Sequence, residues 1–183
     1  LDYYSYQDCK DREINLGLDL KGGISVTLEV SVKDLLISYA DNTSDQYDSF
    51  LKKLLLIDQT QKNSQTGYLD LFQEQYQEVI DTKNDLAMLF DVRENAGTFS
   101  GFTNGQVIDQ LRQIIEGSSN NEGVIDQTFN NLVQRSQRFA NTRPNILKTS
   151  VPGRFIVELP GVDDVERVKS ILTAPAKLEF WEA

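Results

Sequence analysis

The first strand of this chain is followed by a stretch that cannot be an ordinary connection, and that separation constrains the fold more than any other feature. Residues 24 to 30, Ile-Ser-Val-Thr-Leu-Glu-Val, alternate apolar and polar, with Val26, Leu28 and Val30 on one face and Ser25, Thr27 and Glu29 on the other. This two-residue period is that of a half-buried strand. From about 33 to 116 the period becomes helical: Leu51/Leu54/Leu55, Leu69/Phe72/Tyr76/Ile80, Leu86/Leu89/Phe90 and Val107/Leu111/Ile114/Ile115 recur at three- or four-residue spacing, as amphipathic helices require. Breaks fall at Asn42-Thr43-Ser44, Asn63 to Gly67 and Asn95-Ala96-Gly97, and Thr103 with Gln106 three residues on forms a capping-box pattern. A connection of about 85 residues is too long for a loop in a compact domain, so residues 33–116 read as an inserted, mostly helical subdomain.

After Gly117 to Asn121 the elements follow in quick succession. Ile125, Phe129, Leu132, Ser136 and Phe139 line a helix that ends before Pro144; Asn145 to Thr149 is extended; Val151-Pro152-Gly153 turns; and Arg154 to Leu159 alternates as a strand. Pro160-Gly161 stops that strand, Asp163 or Asp164 caps a helix carrying Val165, Val168, Ile171 and Leu172, and Ala176 to Glu182 forms a last strand. The order β-α-β-β-α-β is the ferredoxin-like arrangement, two helices on one face of an antiparallel sheet. The expected class is α+β, with a base from residues 1–32 and 117–183 and the helical insertion after its first strand.

Composition removes chemistries. The 183 residues contain no His and one Cys, Cys9, so a triad with an imidazole base, a His-liganded zinc, an internal disulfide and a thiolate cluster are all excluded. No constellation implies a cofactor or an enzyme. The net charge of -10 opposes nucleic-acid binding, which rests on Lys and Arg neutralising phosphates. Of that charge, -7 belongs to residues 31 to 120, while the rest of the chain is nearly balanced. The longest aliphatic run, Leu54 to Ile57, is far short of the ~20 residues of a membrane span. Leu1-Asp2-Tyr3-Tyr4 has neither an initiator Met nor the apolar run of a signal peptide, and the chain reads as a segment of a longer protein.

Three local features invite functional readings. Leu16-Gly17-Leu18-Asp19-Leu20-Lys21-Gly22-Gly23 suggests a phosphate cradle, but a phosphate loop leads into a helix and this one leads into a strand. The better reading is a structural turn, with Gly22 and Gly23 in backbone conformations closed to other residues and Asp19 bonding nearby N–H groups. The adjacent pair Asp163-Asp164 is better explained as helix N-terminal charge than as an acid/base pair. Thr27, Glu29, Ile156, Glu158 and Trp181 fall on the helix-free face of the expected sheet, a candidate polypeptide-binding surface because Trp is enriched at interaction hot spots. The competing reading packs Trp181 against the insertion or against protein outside this chain.

Two segments together resemble the SecD half of the SecD/SecDF protein-export membrane proteins. One is Leu16 to Gly23 with the strand through Val30; the other runs from Arg154-Phe155-Ile156-Val157-Glu158-Leu159-Pro160-Gly161-Val162 through Ile171-Leu172 to Ala176-Lys177-Leu178-Glu179-Phe180. With the helix at 122 to 140, the match covers about half the chain. Ala140-Asn141 stand where the family usually has Gly-Val, Trp181 stands where it usually has Arg, and the helical insertion is outside its common pattern.

The resemblance implies a first extracytoplasmic domain on the periplasmic side of the bacterial inner membrane, joined to the membrane only by helices outside this chain. It implies a non-enzymatic part of a proton-motive-force-dependent export machine. Its partners would be the SecF half, the SecYEG channel and exported unfolded polypeptide, with no cofactor. Gly17, Asp19, Gly22, Gly23, Pro160 and Gly161 would be its structural motif. The alternative is a soluble ferredoxin-like module that binds a small ligand or a metal through carboxylates.

Overall fold

A computed structural model describes residues 22–61, 64–80, 85–91, 97–137 and 144–173. The elements in order are β1 (Gly23–Glu29), α1 (Val32–Tyr39), α2 (Tyr47–Gln61), α3 (Tyr68–Glu74), a 3-10 turn (Gln77–Val79), α4 (Asp85–Phe90) and α5 (Asn104–Ile115). There follow β2 (Gly117–Ser118), β3 (Asn121–Glu122), α6 (Val124–Ser136), β4 (Asn145–Lys148), β5 (Arg154–Pro160) and α7 (Val165–Thr173). The fold is mixed helix and sheet, as expected of an α+β chain. The expected last strand, Ala176 to Glu182, lies outside the described residues, as do Gly17, Asp19, Ala140-Asn141 and Trp181.

The main sheet has the order β1-β5-β4. The Val30 N–H donates to the Gly153 carbonyl at 2.8 Å and the Gly161 N–H to the Gly22 carbonyl at 2.9 Å, which fixes β1 and β5 as antiparallel. The Thr149 N–H donates to the Arg154 carbonyl at 3.1 Å, closing the β4–β5 hairpin that the Val-Pro-Gly turn predicts. In this register Phe155, Val157 and Leu159 are buried on one face of β5, while Arg154, Ile156 and Glu158 are half-buried on the other.

By contact the chain divides into two compact units. One comprises residues 1–27, 130–147 and 156–183; the other comprises 28–129 and 148–155. In the first, Ile24, Leu132, Val157, Leu159, Val168 and Leu172 are buried. Asp164 caps α7, its carboxylate accepting from the Arg167 N–H at 2.9 Å, as one of the two expected aspartates should.

The second unit is built on aromatic rings. Phe50 meets Phe72 and Phe90 edge-on, with centroids 6.2 and 5.7 Å apart, and Phe90 meets Phe99 at 6.2 Å. Burying each such side chain contributes roughly 1.5–3 kcal/mol. The polar exception is Asn104 at the start of α5, fully buried. Its Oδ1 accepts from the Leu86 N–H at 3.0 Å and its Nδ2 donates to the Val79 carbonyl at 3.2 Å, tying α4 and the 3-10 turn to α5. The Thr103–Gln106 capping box forms as expected.

Charge clasps complete this unit. Lys33 pairs with Asp58 at 2.5 Å, and Arg112 reaches Asp70 at 2.8 Å and Glu116 at 3.3 Å. Burial, with the neighbouring Asp58 charge second, pushes the Tyr68 phenol up; burial and then Asp85 do the same to Tyr76.

Two details differ from the sequence reading. Leu55, expected on the buried stripe of its helix, is 55% exposed, and Phe50, Leu54 and Ile57 carry the burial, because the rotation of α2 about its axis is set by the neighbours it packs against and not by the spacing of its leucines. The Gly117 to Asn121 break is a small hairpin, with Gly117 opposite Glu122 and Ser118 opposite Asn121. A Cβ on Gly123 would come within 2.3 Å of the Gly117 nitrogen, so that close approach requires glycine.

Candidate functional site

Two groups of residues singled out from the sequence lie in the described chain, and both belong to the sheet. The first is at the sheet end where β1 begins and β5 stops. Gly22 has φ +66°, Gly23 φ +142° and Gly161 φ +71°, conformations that cost a residue with a Cβ about 1–2 kcal/mol or more. A Cβ on Gly22 would meet nothing within 4 Å, so at that position the requirement lies in the backbone and not in packing. The Gly22–Gly161 hydrogen bond of 2.9 Å brings the Gly-Gly turn and the Pro-Gly turn together although they are far apart in sequence. Pro160 is buried and ends β5.

The second group is on the sheet face opposite Phe155, Val157 and Leu159. Glu29 is held by Arg154, whose Nη2 lies at 3.1 Å and Nε at 3.3 Å, and accepts from the Gln61 Nε2 at 2.8 Å. Glu158 accepts from the Asn145 Nδ2 at 2.9 Å. The register sets Ile156 between Thr27 on β1 and Leu147 on β4. Thr27 is exposed, Ile156 half-buried and Leu147 47% exposed. In the first unit Ile156 and Leu147 thus form a short apolar band beside the Glu158–Asn145 pair; in the second, Arg154 neutralises the Glu29 charge. Such a surface offers apolar side chains and hydrogen-bonding groups to a neighbour.

Sequence reasoning missed Leu147 and Asn145. The Asn-Ile-Leu-Lys stretch has no alternation, so its faces are assigned by the Thr149–Arg154 hydrogen bond and the pairing of Asn145 with Glu158. Among the described residues no three His, Cys, Asp or Glu converge as a metal-binding group. Among them, too, no helix is long and apolar enough to cross a membrane.

Comparison with known proteins converges on one family. The family model described as protein translocase subunit SecDF, P1 domain, N-terminal, matches residues 125–183, and the one described as SecD/SecF GG motif matches residues 12–33. The protein translocase subunit SecD of Rhodothermus marinus is 33% identical over 178 residues, covering 97% of this chain and 27% of the relative. SecD of Escherichia coli K12 is 27% identical over 171 residues, 91% of this chain and 26% of the relative. SecD of Acetobacter pasteurianus is 27% identical over 193 residues, 92% of this chain and 32% of the relative. This chain thus spans only about a quarter to a third of the relatives' length. No solved structure matches it. Both ends of the Gly22–Gly161 hydrogen bond fall inside matched segments, one in each, and the chain belongs to the SecD/SecDF family of protein translocase subunits.

Proposed function

We propose that this chain is the first extracytoplasmic domain of a SecD-type subunit of the Sec translocase, a non-enzymatic platform that assists proton-motive-force-dependent export and touches the exported chain. It stands on the periplasmic side of the inner membrane, attached through membrane helices outside this chain, and works with a SecF half and the SecYEG channel. Its base, 1–32 with 117–183, is ferredoxin-like, and 33–116 is the helical insertion. The described order β1-β5-β4 supports that topology, since a ferredoxin-like sheet pairs its first strand with its third and its third with its second.

One observation carries the reading: the GG-motif segment and the P1 segment, matched separately, are joined by the Gly22–Gly161 hydrogen bond. Gly17, Asp19, Gly22, Gly23, Pro160 and Gly161 are its structural joint. Thr27, Glu29, Ile156, Glu158 and Trp181, with Leu147 added, form the surface offered to exported polypeptide.

The test is made in the host cell. Removing residues 22–173 from the full-length protein is expected to leave unprocessed precursors of exported proteins accumulating several-fold. Export kinetics identical to the parent strain's, with the shortened protein present in the membrane, would sink the reading.

A further inference from the structure

We propose that the outer edge of β4, with the groove beside it, accepts an extended apolar segment of polypeptide in transit, which adds to the sheet as its next strand. The proposal rests on the reading that this domain meets exported chains, and it names the form in which such a chain is held.

The argument begins with the ladder. In an antiparallel pair, alternate residues point their main-chain groups toward the partner and the others point them away. The 149-to-154 hydrogen bond aims the main chain of Asn145 and Leu147 at β5. Ile146 therefore turns its N–H and C=O outward, and Pro144 its C=O. Among the described residues the order β1-β5-β4 puts no strand beyond β4. A row of unpaired donors and acceptors is a template for an incoming strand.

A second, independent feature lies at the same edge. A cavity of about 510 Å³ opens between the last turn of α6 and the start of β4, lined by Val133, Ser136, Gln137, Pro144, Asn145 and Ile146. All six residues belong to the first unit. The Ile146 side chain points to the opposite face from Asn145 and Leu147, the face on which α6 lies. Among the described residues Val133, Pro144 and Ile146 give the groove its apolar lining, and Ser136 and Gln137 its polar side chains.

These features select the occupant. Main-chain pairing at Ile146 needs a partner whose own backbone groups are free, which an extended chain offers and a finished fold does not. Side chains alternate along a strand, so every second residue of the guest would enter the groove, where an apolar side chain fits the lining. Pairing through the backbone carries no sequence preference, which suits a device that meets many different chains.

The test uses the full-length membrane protein with a photo-crosslinking residue at Gln137 and a tagged, signal-bearing chain stalled by a folded C-terminal domain. The stalled chain is expected to crosslink at Gln137. Ile146→Pro removes the outward N–H without touching the β4–β5 ladder, since proline is tolerated at an edge whose N–H faces away. It should cut the yield about fivefold, whereas Ile146→Thr, which keeps the N–H, should cost about twofold or less. Equal yields from the two variants would overturn strand addition. If Ile146→Pro fails to accumulate, Val133→Arg, which charges the groove from α6, should give the same loss, and an unchanged yield there would count against the site. Absence of crosslinks, while removal of residues 22–173 still slows export, would overturn this proposal and leave the family function standing. Normal export without those residues would overturn both.

Discussion

The two units of this molecule hold themselves together in different ways. The helical one gathers Phe50, Phe72, Phe90 and Phe99, the largest fully buried side chains between residues 50 and 99, through helices that are neighbours in sequence. The sheet-bearing one depends on pairing Gly22 with Gly161, residues at opposite ends of the chain. Both family models match outside residues 34–124, so the family signature does not reside where the aromatic core is. Yet the Rhodothermus alignment covers 97% of the chain and therefore runs through the helices. A turn at positive φ accepts essentially one residue type, whereas a helical core accepts many side-chain sets of similar volume. Motifs consequently mark turns, and overall similarity follows packing.

Substitutions in each unit can break or sharpen this contrast. The largest effect is expected from Phe72→Ala, about 3–5 kcal/mol, read as denaturant unfolding with hydrogen exchange rising first in α2, α3 and α4; faster exchange in β5 instead would contradict separate cores. Asn104→Leu leaves the Leu86 N–H and Val79 carbonyl without their buried partner and should cost about 2–3 kcal/mol, whereas a gain in stability would show that packing outweighs those bonds. In the sheet unit, Gly22→Val places a β-branched residue at φ +66°, for about 1–3 kcal/mol. Gly23→Val should behave alike, and unchanged melting of both would remove the backbone argument.

Glu29→Gln loosens a half-exposed pair with Arg154 and should shift stability by about 0–1 kcal/mol, less at high salt. The smallest effect is that of pH between 6 and 8, where a chain without His should melt at nearly constant temperature. Above pH ~10 the curve should turn downward. Unfolded tyrosines ionise there, while Tyr68 and Tyr76, with phenols raised by burial, keep their protons in the folded state. A flat melting curve to pH ~11 would show those phenols to be solvated.

Much of this was legible before any coordinates. The alternation of Ile24 to Val30, the Thr103–Gln106 box, the Asp164 cap and the Val-Pro-Gly hairpin are local rules obeyed locally. What escaped depends on tertiary neighbours. Leu55 keeps helical spacing with Leu51 and is exposed all the same, because periodicity gives a stripe but not its rotation toward the core. Leu147 lies in a four-residue strand too short to show a period. The Asn104 anchor reads in sequence as a plain helix-start residue, and only the buried groups facing it reveal its task. At the candidate site, Gly22, Gly23 and Gly161 were legible as turns, but their meeting was not.

That meeting also dictates an order of events when the chain is made. Among the described strands β1 pairs with β5, which leaves the ribosome only after more than 120 further residues have been added. At about 5–20 residues per second, the wait is on the order of ten seconds. Helices form within about microseconds, so the 32–115 region can fold on itself long before β1 is paired. The sheet is thus a late, high-contact-order step, and the interval in which β1 waits as an exposed strand is when this domain is most open to mispairing.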